Sequence, residues 1–398
     1  DTETTGLELD AELCGLCFAW TEGEGVYVPV RSPEPGSHLD QVTVLEALRP
    51  VLENPDIPKC GHNVKFDARI LLKAGVRLRG IAFDSMLASV LIDPSQANHK
   101  LDQLALSQLG YAMIPITDLI GEDQSIRMDA VPLDKVVPYA AEDADITLRL
   151  YHRLLPTLRE LGMEELVRKV EAPLSAVLAE MEANGILCDP DELLRQGESL
   201  KWRVEELRQQ VCELAGVEFN LDSPAQLAEV LFDRLGLPKG KKTKTGYSTD
   251  AEVLGNLAAL ENPADPRTLV PGLILEYRQL AKLISTYLGN LVDSIDPRTG
   301  RIHTTFHQLV TATGRLASHR PNLQNIPVRT DVGRQIRKAF HAPEGHMLIC
   351  ADYSQIELRI LAHLSEDAGL VAAFENDQDI HAAVASQVFH TPIDQVTR

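Results

Sequence analysis

Three short segments carry residues able to hold hard cations. Asp1-Thr2-Glu3 sets two carboxylates two positions apart, and in an extended strand such side chains share one face. Asn63-Val-Lys-Phe-Asp67 puts a third acid at the start of a helix. Tyr139-Ala-Ala-Glu-Asp143 puts a phenol and a fourth acid one helical turn apart, on a common face. Carboxylates that converge on one cleft repel unless cations neutralise them, and an all-oxygen donor set suits Mg²⁺ or Mn²⁺. Two such ions about 4 Å apart can hold an attacking hydroxide and a leaving 3′ oxygen in line across a phosphodiester. A phenol beside that water can orient it. Each segment alone reads as ordinary surface acid; the three together, in this order within one α/β region, point to chemistry.

A second constellation lies near the other end. The apolar run Leu348-Ile-Cys-Ala ends on Asp352, and a charge at the end of a buried strand is costly unless paired or metal-bound. Taken alone, such an acid reads equally well as the cap of the next helix. Upstream, the stretch from Thr311 to Arg329 carries Arg315, Asn322, Gln324, Asn325 and Arg329. Guanidinium and amide donors of this kind suit phosphates, sugars and minor-groove base edges.

The first three segments resemble the exonuclease motifs of the DEDD superfamily, in its tyrosine-bearing subclass. That resemblance implies that Asp1, Glu3, Asp67 and Asp143 are metal carboxylates and that Tyr139 orients the water. It also implies that Leu7 wedges against a terminal base and that Asn63 contacts the strand end. Glu142 and Asp145 sit on the same helix in other registers and read as solvated or structural. The later segments resemble the family A DNA polymerases of bacteria. Asp352-Tyr-Ser-Gln-Ile-Glu357-Leu-Arg is similar to the palm motif of that family, and Thr313-Gly-Arg315 with Pro321-Asn-Leu-Gln-Asn-Ile-Pro327 to its primer-template clamp. The likeness implies that Asp352 and the Tyr353 carbonyl hold catalytic Mg²⁺, two ions per site. Glu357 would exclude ribonucleotides, and His381 would meet the incoming triphosphate. Arg315, Asn322, Gln324, Asn325 and Arg329 would hold the primer-template duplex.

The implied architecture is an α/β exonuclease domain, ribonuclease H-like with a mixed sheet and flanking helices, then a mainly helical thumb and a partial α+β palm. The implied boundaries are 1–155, 156–300 and 301–398. The implied partners are a primer-template duplex, a single-stranded 3′ end and dNTP, for a monomeric enzyme of the bacterial cytoplasm and nucleoid acting in replication and repair. On the same likeness, the fingers and the second palm carboxylate would lie beyond Arg398, so the 398 residues alone are expected not to extend a primer. The opening Asp1-Thr2-Glu3 lacks a basic start, an apolar core and an initiator Met, and reads as an interior position of a longer protein.

Composition fits these readings unevenly. The formal charge of −20, from 38 Lys/Arg against 58 Asp/Glu, argues weakly against nucleic acid. Its distribution tempers the objection. Residues 1–150 hold 12 basic and 24 acidic side chains, whereas 298–341 hold eight basic ones against Asp331 alone. Lys239-Gly-Lys-Lys-Thr-Lys244 adds a basic loop tip. Nothing approaches the roughly 18–20 unbroken apolar residues of a membrane span. Six scattered cysteines suit a reducing compartment, and Cys14 and Cys17, inside an apolar run, read as core residues.

The elements that must position these residues follow from periodicity and caps. Ala11–Trp20 and Gly25–Val30 read as strands about a Glu22–Gly25 turn. Leu45–Leu52, Asp67–Ala74 and Ala141–Leu155 read as helices. A further helix ends at Asn184-Gly185, and Leu193–Leu214 and Leu273–Ile295 read as long helices. Ser223 and Thr249 read as capping-box starts. Ile302–Leu309 and His346–Tyr353 read as strands, and Gln355–His363 as a helix. Two other functions stay open: a stand-alone DEDD exonuclease acting on DNA or RNA, and a non-catalytic scaffold. The 301–363 segment separates them from a polymerase, because a nuclease has no need of a clamp followed by Asp352.

Overall fold

The computed structural model describes residues 1–396 except 244–245, 261, 263, 286–288, 312 and 329. The chain divides into two compact units, Asp1–Ala342 and Pro343–Arg398.

The first unit begins with an antiparallel sheet of β1 (Thr2–Thr4), β2 (Leu13–Thr21) and β3 (Glu24–Pro29). A bulge interrupts the β1–β2 pairing: Glu3 faces Gly15, but Thr4 faces Leu13, leaving Cys14 as the extra residue. The bulge changes the phase of β2. Leu13 and Leu16 therefore join one core, and Cys14 and Cys17 another. The first core is completed by α1 (Gln41–Leu52) and α2 (Val64–Lys73), through Val44, Leu45, Val64 and Ala68. The second is completed by α4 (Leu133–Glu160), through Val136, Ala140 and Ala144. Between them, β4 (Lys59–Gly61) pairs in parallel with β5 (Ile81–Asp84), which runs into α3 (Ser85–Ile92).

The helix predicted over Ala141–Leu155 starts earlier. Pro132 precedes it and Pro138 lies inside it; both discourage a helix reading of 133–140, yet burial of Val136 and Ala140 carries the helix through. Both strands of the predicted hairpin form. β3 packs tightly on α4, since a Cβ at Gly25 would lie 2.1 Å from the Ala141 carbonyl oxygen.

Further along, α5 (Ala172–Asn184) ends at Gly185, φ 56°, as predicted. Next come β6 (Ile186–Cys188) and α6 (Pro190–Ala215), the latter capped by Asp189. Four predicted features are corrected. Asp250, not Thr249, caps the helix Ala251–Ala258; Thr249 is buried and its carbonyl accepts from Arg278. The helix expected over Leu273–Ile295 runs over Val270–Leu283, with a second stretch at Gly289–Asp293 and residues 286–288 outside the described set. The strand expected over Ile302–Leu309 is two short strands, Arg301–Ile302 and Thr305–His307. The Thr304 hydroxyl between them turns to the His319 and Pro321 carbonyls. Part of the Lys239–Gly246 tip forms a hairpin of Lys242–Thr243 with Gly246–Tyr247; residues 244–245 lie outside the described set.

The fourth correction falls in the second unit. His346–Tyr353 is not a buried strand but an exposed irregular segment. An apolar run becomes a strand only against a partner ladder, and the described residues of this unit contain no strand. They hold helices Ile356–Ser365, Ala368–Glu375 and Ile380–Phe389. Among the described residues, no helix is long and apolar enough to cross a membrane.

Candidate active site

The predicted nuclease residues come from three elements, β1 with the residue before it, α2 and α4. In β1, residues opposite one another share a face, so Glu3 and Gly15 point the same way, toward α4. Asp1 extends that pairing, its ammonium donating to the Cys17 carbonyl at 3.1 Å and its own carbonyl accepting from Cys17 N at 2.9 Å. Thr2 faces the other side, where its hydroxyl donates to Asp67 Oδ1 at 2.6 Å. Asp67 is in the first turn of α2, and Tyr139 and Asp143 lie one turn apart on α4. Glu3, Asp67 and Asp143 are all buried; Asp1 is exposed.

The acids feel one another strongly. Burial, then the charge of Asp143, pushes Glu3 up to about 8. Burial also raises Asp143 to about 7, against a lowering hydrogen bond from Tyr139, and raises Asp67. Burial and the charges of Asp143 and Glu3 raise the Tyr139 phenol, which stays protonated. A hard divalent cation among these oxygen donors would relieve that repulsion.

The convergence is not uniform. A carboxylate oxygen of Asp1, one of Glu3 and the Cys17 sulfur lie within 4.8 Å of one another. Asp67 is turned to Thr2, and neither it nor Asp143 belongs to that set. Cys17 is therefore more than the core residue its run suggested. Its Sγ approaches Glu3 Oε1 at 3.9 Å, and burial drives the thiol well above its ordinary range. Cys14 is plain core, and all six cysteines are free.

Around this end of the sheet, Leu7 stands 77% exposed beside a cleft of about 540 Å³ that Asn63, Phe66, Arg69, His307 and Gln308 also line. The Arg69 guanidinium donates to the Leu7 carbonyl at 3.1 Å. Glu142 and Asp145 are structural. Glu142 accepts from the Tyr111 hydroxyl and Ile114 N, and Asp145 from Gly23 N at 2.6 Å while pairing with Arg149.

Several partners carried no sequence signal. Lys65 and Glu182 form a part-buried ion pair, and Glu182, itself buried, also accepts from Phe306 N at 2.8 Å. Gln308 donates to Glu171 and accepts from Ser175, all three buried. These bonds fasten the Thr305–His307 strand to α5. Asp84, an acid ending the apolar run Ile81-Ala-Phe, caps α3 by accepting from Met86 N and Leu87 N, and that pattern is its signal in the sequence.

The strand Thr305–His307 pairs with Ala317–His319, and two of the residues predicted to hold duplex, Asn322 and Gln324, bond to this hairpin and its flank. Asn322 Oδ1 accepts from Ser318 Oγ and Gln324 N. The Gln324 amide bonds Ser318 N and the Leu316 carbonyl, so both side chains brace the hairpin. Asn325 and Arg315 are exposed, and Arg329 lies outside the described residues. In the second unit, Asp352 and Tyr353 are exposed, the latter by 80%. Glu357 is in the first turn of Ile356–Ser365, and His381 in that of Ile380–Phe389.

Comparison with known proteins agrees with both halves. A family model described as 3′-5′ exonuclease matches residues 1–159, and one described as DNA polymerase family A matches residues 190–398. The DNA polymerase I of Pseudomonas aeruginosa is 45% identical over 404 residues, covering 100% of this chain and 44% of the relative. That of Chloroflexus aurantiacus is 44% identical over 399 residues, covering 98% of this chain and 41% of the relative. The chain thus spans less than half the length of these curated relatives. Among solved structures, the POL domain of Pol1 from M. smegmatis in complex with DNA primer-template and dNTP superposes with a TM-score of 0.83 at 35% identity, over 100% of this chain and 64% of that one. With the polymerase model alone matching more than half of its residues, the chain belongs to DNA polymerase family A and carries a 3′-5′ exonuclease module ahead of the polymerase region.

Proposed function

We propose that the chain is part of a proofreading DNA polymerase acting in replication and repair, and that its first unit holds a 3′→5′ exonuclease cleaving phosphodiesters at a single-stranded DNA end. The observation that supports this reading is that three buried acids from three different elements, Glu3, Asp67 and Asp143, all have raised proton affinity beside Tyr139. In this reading the modules are an exonuclease over 1–155, ribonuclease H-like in arrangement, a thumb over 156–300 and a palm segment over 301–398.

The four carboxylates would hold Mg²⁺, or Mn²⁺, as a pair of ions. Such ions supply an acidified water and neutralise charge at the leaving oxygen. The chain's own groups do the rest. Tyr139, protonated at neutral pH, donates to and orients the attacking water. Leu7 packs against the terminal base and separates it from its neighbour. Asn63 contacts the strand end. Arg315, Asn325 and Arg329 would contact primer-template duplex, and Asn322 and Gln324 would hold it by bracing the hairpin as much as by contact. Asp352 and the Tyr353 carbonyl serve the polymerase metals, and Glu357 and His381 the incoming dNTP. Mispaired ends fray more readily and so reach the nuclease as single strand. The enzyme acts as a monomer in the nucleoid. A free-standing nuclease is the weaker reading, because the polymerase match covers 190–398.

The test is Mg²⁺-dependent release of mononucleotides from a 3′-labelled single-stranded oligodeoxynucleotide. Wild-type protein should release them and Asp143→Ala should not. A wild-type chain that leaves the label intact defeats the nuclease reading.

A further inference from the structure

Resting on the nuclease reading, we infer that Asp84 is a positioning residue for the strand-end contact. It takes over the capping of α2 so that the Asn63 side chain is released to the cleft. An asparagine at a helix start ordinarily sits in the extended region and caps the helix with its own side chain. Asn63 does neither. Its backbone is left-handed, φ 55° and ψ 44°, and its side chain makes no cap bond. It lines the cleft beside Leu7 instead.

The orphan amides are met from another element. Asp84, 1% exposed at the end of β5, accepts from Asn63 N at 3.1 Å and Val64 N at 2.8 Å. The same carboxylate caps its own helix, accepting from Met86 N at 2.9 Å and Leu87 N at 3.2 Å. One side chain thus ties the starts of α2 and α3 together. A left-handed non-glycine residue persists only where its surroundings hold it, and here the two bonds to Asp84 do so. The neighbouring Ser85 hydroxyl, bonded to His62 Nδ1 at 2.8 Å and to the Gly61 carbonyl, stiffens the same junction. Asp67 lies three residues into α2, so the junction sets the strand-end contact and the helix start together.

The test is a double-mutant cycle on the full chain with a single-stranded oligodeoxynucleotide, read as KM and kcat with Mg²⁺ and as Kd with Ca²⁺. Asp84→Asn keeps an acceptor but weakens the hold. It should raise KM and Kd about fivefold, the worth of one hydrogen bond, and lower kcat less. In an Asn63→Ala background it should raise neither further. Equal effects of Asp84→Asn in both backgrounds, or unchanged KM and Kd in the first, overturn the inference. If Asp84→Asn does not fold, Asn63→Gly decides. Glycine accepts the left-handed backbone, so Tm should hold or rise while Kd weakens; a falling Tm with unchanged Kd would show Asn63 to be the cap and overturn the proposal. A wild-type protein that binds the oligonucleotide without cleaving it defeats the nuclease reading and leaves the binding arm of this test in force.

Discussion

The acid end of the first sheet and the Asp352 segment of the second unit carry equally suggestive residues, yet they are built differently. Glu3, Asp67 and Asp143 are buried and held by strand pairing, by Thr2 and by Tyr139. Asp352 and Tyr353 stand in solvent on backbone without a ladder. A motif names the atoms, whereas their placement comes from the elements that pair around them. The contrast predicts that substitutions at the first site perturb both chemistry and stability, and that those at the second leave the first unit untouched.

The sharpest way to break the comparison is to change one acid on each side. Asp143→Ala should cost the nuclease on the order of a thousandfold in rate, whereas Asp352→Ala should leave that rate within about twofold. Single-stranded oligonucleotide cleavage measures both, and a parallel loss would erase the distinction. Next in size is Glu182→Ala, which leaves Lys65 part-buried and uncompensated and Phe306 N without its acceptor. It should destabilise the first unit by about 3–5 kcal/mol in urea, with Glu182→Gln milder. A smaller cost, about 1–3 kcal/mol, is expected for Gly25→Ala, whose methyl meets the Ala141 carbonyl and pushes α4 off the sheet. Because α4 carries Asp143, nuclease kcat should fall with it.

The subtlest expectation concerns pH. Glu3 and Asp143 have folded pKa values raised to about 8 and about 7, above those of the unfolded chain. They bind protons more tightly when folded, so their contribution is full below about pH 4 and is lost as pH rises through 7 to 8. With EDTA, Tm of the first unit should therefore decline across that window, and Mg²⁺ should flatten the decline. Asp352→Asn should not alter the slope. A flat profile in EDTA would mean that the acids are less crowded than their burial implies.

Local signals were legible where local physics decides. Gly185 ends α5 where only a left-handed residue fits, and the Ser223 hydroxyl caps its helix. Spacing alone places Asp1 with Glu3 on one strand face and Tyr139 with Asp143 on one helix face, whereas it says nothing of where Asp67 lies. Signals failed where a distant partner decides. The Ala141–Leu155 reading missed the first turns of α4, where burial of Val136 and Ala140 carries the helix past Pro138. The Thr249 box lost to Asp250 because Thr249 is drawn inward to Arg278. Asp84 caps a helix 20 residues upstream, and Cys17 reaches Glu3 only through strand pairing. No periodicity announces such bonds.

The bulge at Cys14 has a consequence for how this region can change over evolutionary time. Point substitutions in β2 alter one side chain each, but losing one residue there would restore regular pairing and turn the start of the strand over. The side chains before the lesion would exchange sides relative to Gly15, Leu16 and Cys17, so that Leu13 would quit its core for the opposite one. Chain length between Glu12 and Gly15 should thus be under stricter constraint than the identity of the residue at 14, and a library of single-codon deletions across β2 should lose nuclease function more completely than one of substitutions.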